Sequence, residues 1–330
     1  MRRRARVAVI VFVVISIFLD LTALAEDQEQ PTIVVGYIPL LAQLPLVVSY
    51  ENDRVNYSHT VVKLVRFRSF ASLEAALRVG AVDAADLPLA EVLSIVADHI
   101  PIKIIGQYHS GGSVFESLEM KSVAESKGKI IGVPGLRSAE NLEIIRILSA
   151  QNLRYGLDFK TIKVPFNTVL KSLKAGKINA IFFPEPYGSI AENDGTARQM
   201  ETHEKTPVRV LTSVLAIRSE LLEEKYKMAL GEWLSSLARS CLFIEEDIAS
   251  LSARQTAIIQ EPYFGFPREL VSSSLVNRRG MIRFLYEKPD KKMIATYQQR
   301  FLDAKILTDR VDIDTLVSNA NLQPNDLSSQ

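Results

Sequence analysis

Four histidines and one cysteine bound the chemistry open to this chain. His59, His99, His109 and His203 are scattered without ligand spacing, and Cys241 alone cannot build a zinc site. There is no Gly-x-Ser-x-Gly elbow, no Gly-rich phosphate loop ahead of Lys-Ser/Thr and no dinucleotide fingerprint. Glu245-Glu246-Asp247 and Glu223-Glu224-Lys225 read as solvated helix faces, and Cys241 as a buried small apolar residue. Nothing supplies a nucleophile–base pair. The expectation is a protein with no catalytic residues, no metal and no cofactor.

Binding chemistry is what remains, and its candidates sit just past the ends of expected strands, the rim where α/β proteins hold ligands. Pro39 and Gln43 follow the first strand, and Gln43 can both donate and accept. Leu87 and Pro88 follow the third; packing is an equally simple role for them. Gly111, Gly112 and Ser113 can let backbone N–H groups approach an anion, or can be an ordinary hinge turn. Ser138 is placed to cap a helix whose free N–H groups and dipole attract anions, with Ala139 behind it and Arg137 adding a guanidinium fork. Arg137 can equally be a surface residue. Glu185-Pro186-Tyr187 opens the next rim helix. Tyr187 can stack on or bond to a ligand, and Glu185 is more suited to orienting Arg137 or a hinge group. His109, at the cleft edge, reads as a solvated loop residue.

The elements that must position these residues alternate. Residues 32–37 read as a buried strand, followed by a helix near 43–51, a strand at 60–67 and a helix capped by Ser69 or Ser72 and ended by Gly80. A strand at 82–86, a helix at 89–98 and a strand at 101–108 complete the cycle. It restarts after Gly111-Gly112 with strand 129–133, helix 139–152, strand 161–164, helix 168–175, strand 178–183 and helix 186–193. A β-rich segment at 207–217 leads into helices for the remainder, with Gln260 to Arg268 as a loop. Such alternation means parallel α/β.

The two cycles are related. Gly36/Gly132, Phe70/Phe166, Leu77/Leu173, Gly80/Gly176, Ala84/Ala180 and Pro88/Pro184 share one register, 96 residues apart without a gap. Matches at strand ends, helix-ending glycines and a Pro after a buried strand imply two similar lobes with a cleft between them. We expect lobe one over residues 31–110 plus 209–320, lobe two over 111–208 and a flexible tail at 321–330. One continuous doubly wound sheet is the alternative.

The first 25 residues read as a leader: Arg2, Arg3, Arg4 and Arg6, then apolar Val7 to Leu19, then Ala23-Leu24-Ala25. The apolar run is short of the roughly 20 residues that span a bilayer, so cleavage after Ala25 is expected, with an uncleaved anchor as the alternative. No disulfide can form from one cysteine. The net charge of +1 turns slightly acidic without the leader, which gives no support to nucleic-acid binding. About 305 mature residues suffice for two cored lobes.

Together these segments resemble the periplasmic solute-binding proteins of bacterial ABC importers for nitrate, bicarbonate, sulfonates and taurine, a group related to thiamine-pyrimidine-precursor proteins. The resemblance rests on Gly36-Tyr37-Ile38-Pro39 with Pro45-Leu46, Leu73 through Gly80 to Ala85, Gly128 through Pro134, and Leu173 through Ala180 into Glu185-Pro186-Tyr187. The stretch Asn277 to Arg283 through Tyr297 looks like the nitrate/bicarbonate branch. The chain departs from that branch at Leu40-Leu41-Ala42-Gln43-Leu44, where only Gln43 is polar among residues that nitrate and bicarbonate binders tend to keep hydroxylated or acidic.

What the resemblance implies is a type II-like two-lobed periplasmic-binding-protein fold with a helical C-terminal extension on lobe one. It implies a monomer in the periplasm that captures a small anionic or zwitterionic solute for an ABC transporter permease in the inner membrane. A pyrimidine-precursor binder or enzyme, or a ligand-sensing partner of a membrane receptor, are the alternatives. The cysteine-rich motif of the related synthases is missing.

Overall fold

The computed structural model describes residues 30–200, 211–277 and 282–318. The expected leader, His203, the start of the returning segment and the polar tail lie outside these residues.

Lobe one is laid down first. Strand β1 (Thr32–Tyr37) leads through a buried loop into helix α1 (Leu44–Asp53). Strand β2 (Val61–Arg66) pairs parallel with β1, and helix α2 (Phe70–Arg78) follows. The Ser69 hydroxyl caps α2 by accepting from Ser72 N, and Gly80 ends the turn after it at φ +73°. Strand β3 (Ala84–Pro88), helix α3 (Leu89–Ala97) and strand β4 (Ile102–Gly111) complete this half.

Gly111 and Gly112, both at positive φ, carry the chain into the second sheet. There β5 (Ser113–Ser117), β6 (Ile130–Val133), helix α4 (Ala139–Ala150), β7 (Lys160–Lys163), helix α5 (Val169–Lys174), β8 (Ala180–Pro184), helix α6 (Tyr187–Asn193) and β9 (Arg198–Gln199) follow. The sheet order is β7-β6-β8-β5-β9. Strand β10 (Ser213–Arg218) then returns to sheet one, antiparallel between β3 and β4. Helices α7 (Lys227–Leu251), α8 (Arg254–Phe264) and α9 (Arg268–Asn277) precede β11 (Ile282–Glu287). Helices α10 (Lys291–Asp303) and α11 (Ile313–Leu316) end the described chain. Sheet one runs β11-β4-β10-β3-β1-β2.

Three expectations need correction. The second sheet is not wholly parallel: β5 inserts antiparallel beside β8, which a five-residue run with Glu116 and Ser117 at its end did not advertise. The C-terminal part is not all helix, because β11 pairs with the outer side of β4. Residues 260–264 belong to α8 despite Pro262, and the chain leaves the helix only at Gly265, φ +78°.

Apolar side chains fill both faces of sheet one. Leu44, Trp233, Leu237 and Phe264 pack on one face from α1, α7 and α8, with Leu41 from the loop before α1. On the other, Leu73, Leu77, Val92 and Phe301 share a core with Val169, Ile181 and Phe183 of lobe two, so apolar contact is continuous across the cleft. Cys241 is fully buried.

Candidate functional site

Between the sheets lies a small cavity of about 20 Å³ that opens to solvent. Lobe one supplies Leu40, Ala42, Gln43, Phe70, Asp86 and Pro88, and β4 supplies His109 and Gly111. Ser113, Glu140 and Pro184 close it from lobe two, and Thr212 and Ser213 from the returning segment.

Strand parity decides which residues arrive. Side chains alternate along a strand, so Asp86 and Pro88 face the cavity while Leu87 is buried in the opposite core. The same period of two brings His109, Gly111 and Ser113 to one side.

A polar cluster forms the floor. The Ser213 hydroxyl donates to Asp86 Oδ1 and Oδ2 at 2.8 and 2.9 Å, and Gln43 Nε2 donates to Asp86 Oδ2 at 3.3 Å and to the Asp86 carbonyl at 3.1 Å. His109 Nε2 lies 3.3 Å from Asp86 Oδ2 and 2.7 Å from Ser213 Oγ. Gln43 Oε1 accepts from Ile38 N at 2.7 Å, which fastens the loop after β1. All four side chains are buried. Tyr108 lies beneath them; burial and the neighbouring Asp86 carboxylate push its phenol well above the usual range.

Ser213, His109 and Asp86 are the residue types of a hydrolytic triad, but the geometry is not. In such a relay the carboxylate orients the imidazole through Nδ1 and the hydroxyl is activated by Nε2. Here the carboxylate and the hydroxyl both meet Nε2, and Nδ1 faces only Thr212 Oγ1 at 3.5 Å. Ser213 already donates its proton to Asp86. The cluster is a fixed hydrogen-bond platform.

Opposite it, Glu140 opens helix α4. Ser138 caps this helix by accepting from Asn141 N at 3.2 Å, and Ser113 Oγ donates to Glu140 Oε1 at 2.7 Å. Burial pushes the Glu140 carboxyl up, while Ser113, its own backbone amide, Ser138 and the imidazole of His109 pull the other way. Among the described residues no group of His, Cys, Asp and Glu is arranged to hold a metal ion.

Of the expected site residues, Gln43, Pro88, Gly111 and Ser113 line the cavity together. Pro39, Leu87 and Ala139 are buried beside it without reaching its surface. Ser138 is a cap. Gly112 accepts from Glu185 N at 2.8 Å, and a Cβ there would lie 2.5 Å from Ile282 Cγ1. Glu185 is buried; its Oε2 accepts from Ser189 N and its carbonyl accepts from Leu41 N of lobe one at 3.0 Å. Tyr187 stacks on Phe166 at 5.1 Å, and burial pushes its phenol up to about 12. Arg137 does not reach the cavity. Its Nη1 meets Glu91 Oε2 of helix α3 at 3.5 Å, at the cleft edge. Burial and the neighbouring Glu74 push Glu91 up to about 7, against the pull of Arg137.

The sequence reading missed Asp86, Glu140, Thr212 and Ser213, and placed His109 in solvent where the structure buries it. Asp86 was within reach, since parity with Pro88 selects it over Leu87. Glu140, two places after a capping Ser, was the other available signal.

Residues 26–257 match the NMT1-like family. Among curated proteins, no sequence matches the chain. The structure is similar to the ligand-binding component of an ABC-type import system from Staphylococcus aureus (TM-score 0.76, 18% identity, 88% of this chain and 97% of that one). It is similar to the alkanesulfonate-binding protein SsuA from Xanthomonas axonopodis pv. citri, solved with MOPS (TM-score 0.70, 20% identity, 88% and 99%). It is also similar to the periplasmic nitrate-binding protein NrtA from Synechocystis PCC 6803 (TM-score 0.75, 16% identity, 88% and 86%). At these identities the likeness is one of fold: two α/β lobes around a cleft.

Proposed function

Since the chain belongs to the NMT1-like family, we propose that it is an exported, non-catalytic solute-binding protein that delivers a small solute to an ABC importer. One observation carries this reading. The cavity takes its walls from both lobes and from the segments that join them, so a solute has its full set of contacts only when the lobes are together. A ligand that contacts one state more than the other shifts the population toward it. The contact between Leu41 and Glu185 and the pair of Arg137 with Glu91 would form on closure and break on opening. Gly111-Gly112, both at positive φ, would serve as a hinge.

On this reading the leader directs export to the periplasm, where the mature protein would act as a monomer with a permease of the inner membrane as its partner. The nitrate- and sulfonate-binding proteins that share the fold support a small polar solute. Of the anionic or zwitterionic class expected from the sequence, the zwitterionic half fits the ionisable groups of the lining, Asp86, His109 and Glu140. The solute should be recovered unchanged, given how Ser213 and His109 are oriented.

The test is small-angle scattering with and without a solute found by thermal-shift screening. A saturable rise in melting temperature accompanied by a smaller radius of gyration supports lobe closure. A solute that is chemically altered on incubation, or one that binds with no change in shape, overturns the reading.

A further inference from the structure

Resting on the reading of this cavity as a solute site, we infer that the solute carries a protonated, N–H-donating nitrogen, an ammonium or amidinium, received by Glu140 with Asp86 behind it. Among the described residues the lining contains two carboxylates and one imidazole and no Lys or Arg. Arg137, three residues before Glu140, is paired with Glu91 outside the cavity.

Helix α4 would ordinarily offer the attraction for an anion. Its twelve residues start at the cleft, and a helix N-terminus attracts negative charge through free amides and dipole. In this chain that place is already taken. Glu140 sits in the first turn, with its own backbone amide and the hydroxyls of Ser113 and Ser138 directed at its carboxylate. An incoming nitrate or sulfonate would meet the acceptor oxygens of Glu140 where it needs donors, because the helix-start donors are already spent on that side chain.

A cationic nitrogen meets the reverse situation. Glu140 is buried, and among the described residues the imidazole of His109 is the basic group that acts on it; charged solute N–H groups would relieve that burial. The remaining walls, Leu40, Ala42, Phe70, Pro88 and Pro184, are apolar and suit a short carbon body. The Asp86 platform is held by Ser213, Gln43 and His109 and adds a second carboxyl group at the floor.

Acetamidinium, acetamide and acetate share one shape and differ in charge, so they isolate this inference. Titrated into the purified protein at pH 7.5, acetamidinium should raise the melting temperature saturably, at least tenfold more tightly than acetamide, with no response to acetate. Glu140→Gln keeps the shape and removes the charge. It should weaken acetamidinium at least tenfold while leaving the ligand-free melting temperature the same or higher. If acetate, nitrate or ethanesulfonate bind as tightly as acetamidinium, the cation inference is overturned and the solute-binding reading stands. If no probe of any charge shifts the protein, both are overturned. If Glu140→Gln binds acetamidinium as wild type does, Glu140 is not the receiving group.

Discussion

The two halves of the molecule share a frame down to single hydrogen bonds and differ where they face each other. In lobe one Val35 and Gly36 of β1 align with Ala84 and Ala85 of β3; in lobe two Ile131 and Gly132 of β6 align with Ala180 and Ile181 of β8, each position 96 residues on. The Asp83 side chain accepts from Val34 N, and Asn179 does the same for Ile130 N. Gly80 and Gly176 both end their helices at positive φ. Pro88 and Pro184 both line the cavity, and Phe70 and Phe166 meet edge to face across it at 5.9 Å.

The rim breaks the symmetry. Asp86 corresponds to Phe182, Gln43 to Ala139, Leu44 to Glu140 and Leu41 to Arg137. Polar anchors thus stand in one lobe where apolar residues stand in the other, and the site has a fixed polarity. The repeated part is scaffold; the solute chemistry is written in the unrepeated part.

The largest break in this comparison should come from Asp86. Asp86→Ala strands the Ser213 hydroxyl, the Gln43 amide and His109 in a buried site, and should cost about 3–5 kcal/mol. Phe182→Leu at the corresponding place should cost only about 1 kcal/mol. Urea denaturation of the two variants measures both, and equal losses would mean that the rim is as interchangeable as the frame.

The shared frame is tested by its glycines. A Cβ on Gly36 would lie 2.3 Å from Leu73 Cδ1 and 3.1 Å from Phe67; on Gly132 it would lie 2.8 Å from Ile178 Cδ1 and 3.2 Å from Val164. Both Ala variants should lose stability, by about 1–3 kcal/mol, with Gly36→Ala the worse of the two. Thermal unfolding that ranks them in the opposite order would show that lobe two is the more tightly packed half.

Arg137 should give the smallest effect. Its guanidinium is 44% exposed and its distance to Glu91 is 3.5 Å, so Arg137→Ala should change stability by about 0–1 kcal/mol. Solute affinity should fall by less than about fivefold for the same reason. Calorimetry showing a loss of two orders of magnitude would return Arg137 to the site and remove the asymmetry argued for the rim.

Much of the fold was legible because it is locally encoded. Apolar runs marked β1, β3, β6 and β8, Ser69 and Ser138 marked helix starts, and Gly80 and Gly176 marked helix ends. Strands β5 and β11 were not legible, since each is stabilised by a partner far away in sequence, β8 and β4 respectively. The same holds for the site. Gln43, Pro88, Gly111 and Ser113 follow from their places at strand ends.

The amino-acid sequence by itself determined the alternation of elements, the repeat and the rim on which a ligand would sit, because periodicity, caps and glycine turns act over a few residues. Only the tertiary structure decided that Asp86, His109 and Ser213 converge across 127 residues of chain, that Glu140 occupies the N-terminus meant for an anion, and that Arg137 turns away to Glu91. Those outcomes depend on which side chain wins a shared donor once the strands are registered and the lobes meet, and no local pattern carries that competition.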